Sequence, residues 1–388
     1  MVDSAIRHVY SVCPYCGVGC GLELVVERNK VVRALPQHNH PVSKGKLCIK
    51  GATVDRMIHS PERLKWPLMK DKKTGKFVKT SWPNALNTIA KKFEEIKETY
   101  GSNAIGIIAS TKCTNEESYV LQKFARVCIG TNNIDNSTRL CHAPTVYGLY
   151  EVFGRSAMTN SYNDLCESDC IIIFGDNPAV TQPVAFENIL ACKKHSSKLI
   201  VVDVRLTETA EKADEFVCIK PNTDLLLIAG MLKVIIKAGL EDRAFIRRRT
   251  RGYDEFLKSL EKFDLHSIER ATGVDVQKLK EIALAYGKAK AAAIIFGMGI
   301  TQQSNGMETV QALADLALAT GNFGRVGTGI NPLRGCNNVQ GCCDVGCLPN
   351  VYPGYASLTQ ENIAKFMELW HAESLPASKG LSITEMVE

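Results

Sequence analysis

Four cysteines near the start of the chain restrict its structure more than any other feature. Their spacing is Cys13-x2-Cys16-x3-Cys20, and 27 residues separate Cys20 from Cys48. Four neighbouring thiolates bind soft metals, either as a zinc site or as an iron–sulfur cluster. Three thiols in one tight, glycine-rich loop with a remote fourth suit the corners of a cubane better than the two CxxC pairs usual for zinc. The spacing therefore favours an iron–sulfur site, with zinc or simply buried thiols as open alternatives.

The remaining cysteines and the charge balance limit the class of protein. The chain contains 15 cysteines, an odd number that argues against a fully paired disulfide framework. The first eleven residues contain no apolar signal core and no twin-arginine pair, and no run approaches the roughly 18 apolar residues of a membrane span. We therefore expect a cytoplasmic protein without a membrane span, in a reducing compartment. The net charge of +6 comes without a basic stripe among aromatic residues, which argues against nucleic-acid binding.

After the cysteine cluster, short apolar runs alternate with helix-like segments. Buried strands are predicted at 170–174, 198–202 and 291–296, each followed by glycine or aspartate. Predicted helices are a segment that begins after Ser81 and ends at Gly101, and segments 116–129, 182–195, 224–238, 274–286 and 309–320. This alternation predicts an α/β fold with a doubly wound, Rossmann-like parallel sheet. Residues 23–27 and 30–35 predict a hairpin, and the glycine-rich segment 322–355 predicts a loop system.

Several strings of sequence together carry a family resemblance. They are Cys13-Pro14-Tyr15-Cys16-Gly17-Val18-Gly19-Cys20, Leu47-Cys48-Ile49-Lys50-Gly51, Arg139-Leu140-Cys141-His142-Ala143-Pro144-Thr145-Val146, Gly297-Met298-Gly299-Ile300-Thr301-Gln302 and Asn331-Pro332-Leu333-Arg334-Gly335. Through them nearly the whole chain resembles the molybdopterin oxidoreductases, and within that family the catalytic (alpha) subunit of formate dehydrogenases.

The resemblance implies cofactors, a reaction and a partner. The cofactors are a 4Fe–4S cluster held by the four cysteines and a bis-molybdopterin guanine dinucleotide that carries molybdenum or tungsten. The reaction is the two-electron oxidation of formate to carbon dioxide, or its reverse, with electrons passed to a beta subunit linked to a deazaflavin, NAD or a hydrogenase. We expect an iron–sulfur domain at 1–60, a Rossmann-like dinucleotide domain at 136–335, and a further α/β domain at 61–135 that is continued by 336–388.

By the same resemblance, three residues form the reaction site. Cys141 is the protein ligand to the metal, because a soft thiolate tolerates changes in metal oxidation state. His142 follows directly and, with a near-neutral pKa, would accept the proton released from formate. Arg334 would hold the carboxylate of formate through its planar guanidinium and orient the C–H bond.

The resemblance also assigns residues to the cofactor. Ligands in doubly wound sheets lie beyond the carboxyl ends of the strands, where glycine permits close approach and a helix start attracts phosphate. Lys50 should lie between the cluster and the pterin, on the electron path. The other expected contacts are Gly175, Asn177, Asp203, Arg205, Pro221, Asp224, Gly297, Met298, Gly299 and Gln302.

The chain departs from the family pattern in two ways. Cys336 occupies a place where many relatives carry glutamine, and Cys342 and Cys347 are additional thiols, which we expect to be buried and not to form a second metal site. The family also implies a further cofactor-binding domain beyond Glu388, so the sequence could be a fragment, a split-gene product or an inactive truncation. The alternative functions are therefore another molybdopterin oxidoreductase, such as a nitrate reductase, or a non-catalytic iron–sulfur protein.

Overall fold

The computed structural model describes residues 6–193 and 197–388, and it begins with a small antiparallel sheet. The elements of this first unit are β1 (Arg7–Val12), β2 (Gly21–Glu27), β3 (Lys30–Pro36), α1 (Ile49–Ala52) and α2 (Val54–Ile58). Arg28 and Asn29 join β2 to β3 with positive φ angles of 47° and 61°, as the tight turn of a two-residue hairpin requires. The predicted hairpin is confirmed. The strand β1 was not predicted, because all six of its residues are exposed and it carries no burial signal.

The segment that follows contains two short sheets and three helices. Its elements are β4 (Leu68–Lys70), β5 (Phe77–Lys79), α3 (Trp82–Tyr100), β6 (Ile107–Ala109), α4 (Asn115–Phe124), β7 (Ile134–Asn136) and α5 (Ala143–Phe153). Helix α3 begins where predicted, because the Ser81 side chain accepts a hydrogen bond from the Asn84 N–H at 3.3 Å. It ends at Gly101, whose φ of 84° few other residues adopt. Strands β6 and β7 pair in parallel.

A five-stranded, wholly parallel sheet organises the rest of the chain. Its elements are β8 (Cys170–Phe174), α6 (Pro178–Thr181), α7 (Pro183–Lys193), β9 (Lys198–Asp203), β10 (Glu215–Cys218), α8 (Asp224–Lys237), α9 (Arg243–Arg249), α10 (Tyr253–Glu261), α11 (Leu265–Thr272), α12 (Val276–Lys288), β11 (Ala292–Phe296), α13 (Met298–Thr301), α14 (Gly306–Ala319) and β12 (Gly329–Pro332). The strand order is β10-β9-β8-β11-β12. After β8 the chain adds β9 and β10 on one side of that strand, and it then adds β11 and β12 on the other side. This order confirms the doubly wound fold class.

The sheet is buried on both faces, as a parallel sheet requires. Ile172 of β8 belongs to the larger apolar cluster, with helices α8, α12 and α14, whereas Ile171 and Ile173 face a smaller cluster on the other side. Alternate residues of one strand thus pack into two separate apolar cores, one on each face of the sheet. This explains why β8 and β11 are continuous apolar runs and were predicted accurately. The end of the predicted helix 182–195 lies outside the described residues.

The expectation that 322–355 is a loop system is partly wrong. The segment contributes the edge strand β12 and two short elements, α15 (Val339–Asp344) and β13 (Val351–Tyr352). The strand β14 (Ala356–Ser357) and the last helix, α16 (Gln360–Trp370), follow it. Only four residues form β12, and it contains Gly329 and Pro332, which normally argue against a strand. Proline is tolerated there because β12 lies at the edge of the sheet.

One buried arginine fastens the segment around α15 to α4. Arg126 is completely buried and donates to the carbonyl oxygens of Gly346, Leu348 and Val351, each at 2.8 Å. It also donates to Gln122 and, at 2.9 Å, to Asn132. Burial lowers the pKa of Arg126 to about 10. Within the part of the chain that the structure describes, no helix is long and apolar enough to cross a membrane.

Replacing Arg126 should destabilise this part of the fold. In Arg126→Met, three buried or partly buried carbonyl oxygens lose their charged donor, and we expect the free energy of unfolding to fall by about 3 kcal/mol. Urea unfolding followed by circular dichroism measures the change. The exposed substitution Arg251→Met is the control and should shift stability by less than about 0.5 kcal/mol. Equal stability of the two variants would show that Arg126 does not hold these segments together.

Candidate cofactor and active site

The four N-terminal cysteines surround one enclosed space. Cys13, Cys16 and Cys20 are buried and Cys48 is partly buried, and all four line a cavity closed on one side by Pro183 of α7. Among residues 6–193 and 197–388, no three histidine, cysteine or acidic side chains are close enough together to hold a single ion. The four thiols therefore surround a space and do not converge on a point. Burial and the neighbouring thiols raise the pKa of Cys20 to about 12, a tendency that a bound metal reverses because it stabilises the thiolate.

Lys50 connects this cysteine loop to the parallel sheet. It lies in α1, two residues after Cys48, and its Nζ donates to the carbonyl oxygen of Thr181 at 3.0 Å. Thr181 ends α6 and also lines the larger cavity described next. Lys50 thus joins the cysteine loop to a residue that lines this cavity, and its predicted place between cluster and pterin stays a prediction.

A second cavity, of about 630 Å³, lies at the carboxyl edge of the sheet, where the strand order changes direction. It is lined by the loops that follow β8, β9, β10 and β11. The predicted cofactor contacts among its lining residues are Gly175, Asn177, Asp203, Arg205, Pro221, Asp224, Met298, Gly299 and Gln302. Two predicted contacts are not in this lining: Gly297, the residue directly before Met298, and Lys50.

Sequence reasoning missed several residues that line the same cavity. They are Asp176, Thr181, Val204, Thr207, Asn222, Gln303 and Ser304. Four of them, Asp176, Val204, Asn222 and Gln303, directly adjoin predicted contacts in the sequence. A prediction that included one more residue on each side of those contacts would have found these four. Asp176 is the most informative, because its Oδ2 is buried without a hydrogen-bond partner among the described residues. Burial raises the pKa of Asp176 to about 7.

Two glycines allow the loops after β8 and β11 to touch. The Gly299 N–H donates to the Gly175 carbonyl oxygen at 2.9 Å. A Cβ on Gly175 would lie 2.8 Å from the carbonyl carbon of Gly299, and Gly175 also has a φ of 51°. Neither position accepts a side chain without movement of the backbone. The floor of the cavity is therefore main chain, which leaves room for a ligand above it.

The polar residues of the cavity differ in how far they are already engaged. Asn177 binds Thr209 and Glu208 through its amide, so it shapes the loop after β9. Asp224 accepts a hydrogen bond from Gln303 at 2.8 Å, and burial raises the pKa of Asp224. Arg205 is exposed at the cavity and forms no ion pair with any side chain in the described ranges. Its guanidinium is thus available for an anionic ligand such as phosphate.

The loop that carries Cys141 is fastened to α13. Thr301 Oγ1 donates to the Cys141 carbonyl oxygen, and Gln302 Nε2 donates to the Leu140 carbonyl oxygen at 2.6 Å. The Cys141 thiol is partly buried. Burial and the nearby Cys336 raise the pKa of Cys141 to about 11, and the positive charge of Arg334 opposes the shift. The thiol, Arg334 and Cys336 therefore share one electrostatic environment.

Arg334 and His142 complete this group. Arg334 is partly buried, with Nη2 donating to the Ser156 carbonyl oxygen at 3.0 Å and Nη1 buried without a partner among the described residues. His142 is fully buried, and its Nδ1 lies 2.9 Å from Thr145 Oγ1. Its Nε2 has no hydrogen-bond partner in residues 6–193 or 197–388. Burial and the charge of Arg334 lower the pKa of His142 to about 3, well below the near-neutral value that the sequence suggests.

The additional cysteines are buried, as expected. Cys342 and Cys347 belong to an apolar cluster, and the Cys347 thiol donates to the Ser118 carbonyl oxygen at 3.1 Å. Cys343 is also buried, 3.5 Å from Thr138 Oγ1. Cys336 is only partly buried and lies close to Cys141.

The residues present fit the cofactors that the resemblance implies. Four thiols line one cavity, the donor set that a cubane requires, and a second cavity lies where nucleotides bind in such sheets. Polar atoms of Asp176, Gln303, Arg334 and His142 are buried without a hydrogen-bond partner in the described part of the chain, an arrangement that is costly without a ligand.

Comparison with known proteins agrees with this geometry. The family described as "Molybdopterin oxidoreductase Fe4S4 domain" matches residues 6–60, and the family described as "Molybdopterin oxidoreductase" matches residues 63–387. The chain is 45% identical over 380 residues to the F420-dependent formate dehydrogenase subunit alpha of Methanocaldococcus jannaschii, covering 98% of this chain and 55% of that protein. It is 42% identical over 388 residues to formate dehydrogenase H of Escherichia coli, covering 98% of this chain and 54% of that protein.

Among solved structures, the chain resembles acetylene hydratase from Pelobacter acetylenicus, with a TM-score of 0.73 and 25% identity over 81% of this chain and 43% of that one. The chain spans about half the length of the curated relatives it matches. The match to an Fe4S4 domain decides between the alternatives for the four cysteines in favour of an iron–sulfur cluster, and the cofactors of this family are that cluster and a molybdopterin-bound molybdenum or tungsten. The chain belongs to the molybdopterin oxidoreductase family.

Proposed function

We propose that this chain is the catalytic part of a formate dehydrogenase, which oxidises formate to carbon dioxide, a proton and two electrons. The observation that carries the proposal is that Arg334, far along the chain, lies beside the adjacent residues Cys141 and His142, close enough for its charge to act on both side chains. The relatives named above, at 42–45% identity, are formate dehydrogenases. That agreement favours formate over the nitrate reductase alternative.

Cys141 would ligate the metal, and the bound molybdopterin centre would supply the two-electron redox chemistry. The chain's own contribution is to hold the thiol in place. Thr301 and Gln302 bind the carbonyl oxygens of Cys141 and Leu140, so the backbone at the thiol cannot move independently of the cofactor cavity. Gln302 itself lines that cavity.

Arg334 would bind the substrate. Formate offers little except its carboxylate, and a buried guanidinium holds a carboxylate strongly because water does not compete. The Ser156 carbonyl oxygen fixes Nη2, whereas Nη1 has no partner among the described side chains and main-chain groups. The carboxylate of formate would accept a hydrogen bond from Nη1, with the C–H bond directed away from the guanidinium.

His142 would accept the proton through Nε2. The ring is neutral at ordinary pH because burial and Arg334 lower the pKa of His142, and a neutral ring has an acceptor nitrogen. The Thr145 hydroxyl, 2.9 Å from Nδ1, would fix the orientation of the ring. Binding of an anionic substrate to Arg334 would offset the positive charge that disfavours protonation.

The remaining contacts, domains and partner belong to the same proposal. Lys50 would connect the pterin to the 4Fe–4S cluster, and the cavity at the edge of the sheet would hold guanine dinucleotide. The contacts of Arg126 with Gly346 and Leu348 support a domain at 61–135 that is continued by 336–388, and the domains at 1–60 and 136–335 belong to the same proposal. The name of the Methanocaldococcus jannaschii relative, an F420-dependent subunit alpha, supports a separate electron-transferring subunit linked to a deazaflavin, in preference to NAD or a hydrogenase. A cytoplasmic location would suit the exposed and clustered thiols.

The activity itself is tested by two dye assays on the metal-loaded protein. We expect formate to reduce an artificial viologen dye, and nitrate not to oxidise the reduced dye, because Arg334 and His142 suit a carboxylate substrate that releases a proton. Metal-free protein is the control and should be inactive in both assays. Oxidation of reduced dye by nitrate without any reaction with formate would contradict the proposal.

Substitution of Arg334 tests substrate binding. Arg334→Lys retains the charge but loses the planar pair of donors, so we expect the KM for formate to rise by about 10- to 100-fold. Initial rates of dye reduction over a range of formate concentrations measure this change. Arg251→Lys, at an exposed position, should leave the KM unchanged. A KM for Arg334→Lys equal to that of the parent protein would remove Arg334 from the substrate site.

A further inference from the structure

Arg334 is held through its backbone as well as through its guanidinium. Its carbonyl oxygen accepts one hydrogen bond from the Gly17 N–H at 3.2 Å and another from Gln182 Nε2 at 3.3 Å. Gly17 lies between Cys16 and Cys20, in the loop that surrounds the cluster cavity. Gln182 directly follows α6. Arg334 therefore contacts both the cluster loop, at Gly17, and the end of α6, at Gln182.

The contact between Gly17 and Arg334 leaves no space for a side chain at position 17. A Cβ on Gly17 would lie 2.7 Å from the Arg334 carbonyl oxygen and 2.9 Å from the Arg334 Cβ. Only glycine lets the cluster loop come this close to the arginine, so any movement of the loop is transmitted to Arg334.

The second contact belongs to a chain of hydrogen bonds that starts beside the cluster. Lys50 Nζ donates to the Thr181 carbonyl oxygen, and Thr181 Oγ1 donates to Gln182 Oε1. The Gln182 amide then donates to Arg334. Gln182 is 2% exposed, so these contacts are sheltered from water and its amide has no competing solvent partner.

We propose that Gln182 is a positioning residue which, together with Gly17, sets Arg334 for the substrate carboxylate. The inference rests on the proposed function. In the Arg334 guanidinium, Nη2 is fixed by its hydrogen bond to the Ser156 carbonyl oxygen, and Nη1 is buried without a partner among the described residues. If the backbone of Arg334 shifts, the unpartnered nitrogen shifts with it, and a substrate as small as formate has no second group that could compensate.

The test replaces Gln182 with methionine, which has a similar length but no donor. For the metal-loaded Gln182→Met protein we expect the KM for formate to rise about tenfold, because Arg334 loses one hydrogen bond. We expect kcat to stay within about twofold of the parent value. Kcat is preserved because Cys141 and His142 are untouched. Binding is measured without turnover from the line broadening of carbon-13 formate on dithionite-reduced protein, and the Kd should rise by the same factor. Gln277→Met, at an exposed position of α12, is the matched control.

Two results would overturn the inference. One is an unchanged KM and Kd for formate in Gln182→Met. The other is a loss of kcat together with iron and metal content at unchanged KM, which would indicate a purely structural role. If Gln182→Met does not accumulate, Gln182→Glu keeps the shape of the side chain, replaces the donor by an acceptor, and should raise the KM and Kd at least as much. A parent protein that neither binds nor oxidises formate would instead refute the proposed function.

Discussion

The parallel sheet creates the site because its strand order changes direction between β8 and β11. The loops after these strands run to opposite sides, and a gap remains at the carboxyl edge of the sheet. Gly175 and Gly299 let the two loops meet backbone to backbone, so the gap has a main-chain floor. The cavity, the anchoring of Cys141 by α13 and the position of Arg334 after β12 all follow from this arrangement.

The cluster domain is joined to this sheet at the points where chemistry is proposed. Pro183 closes the cysteine cavity, Lys50 binds Thr181, and Gly17 binds Arg334. The segment between β8 and α7 thus contacts the cluster loop on one side and the dinucleotide cavity on the other. These contacts fix the cluster loop against the sheet through main-chain groups of Thr181, Gly17 and Arg334.

The buried strands were predictable from sequence because a strand covered on both faces is a continuous apolar run, as in Cys170–Phe174 and Ala292–Phe296. The cavity lining was predictable because residues directly after such strands meet at one edge. Strand β12 was not predictable, because a strand of four residues that includes a glycine and a proline shows no alternation of apolar and polar residues. The contacts of Gly17 and Gln182 with Arg334 join residues up to 317 positions apart in the chain, and the spacing of motifs contains no information about them. The low pKa of His142 also depends on burial, which single residues in the sequence do not reveal.

The central claim is that the Cys141 sulfur is bonded directly to molybdenum or tungsten. X-ray absorption at the edge of that metal counts its sulfur neighbours in the metal-loaded protein. The account predicts that Cys141→Ser loses one sulfur neighbour and gains an oxygen or nitrogen, while Cys336→Ser keeps the sulfur count of the parent. An identical sulfur shell in Cys141→Ser and in the parent protein would contradict it.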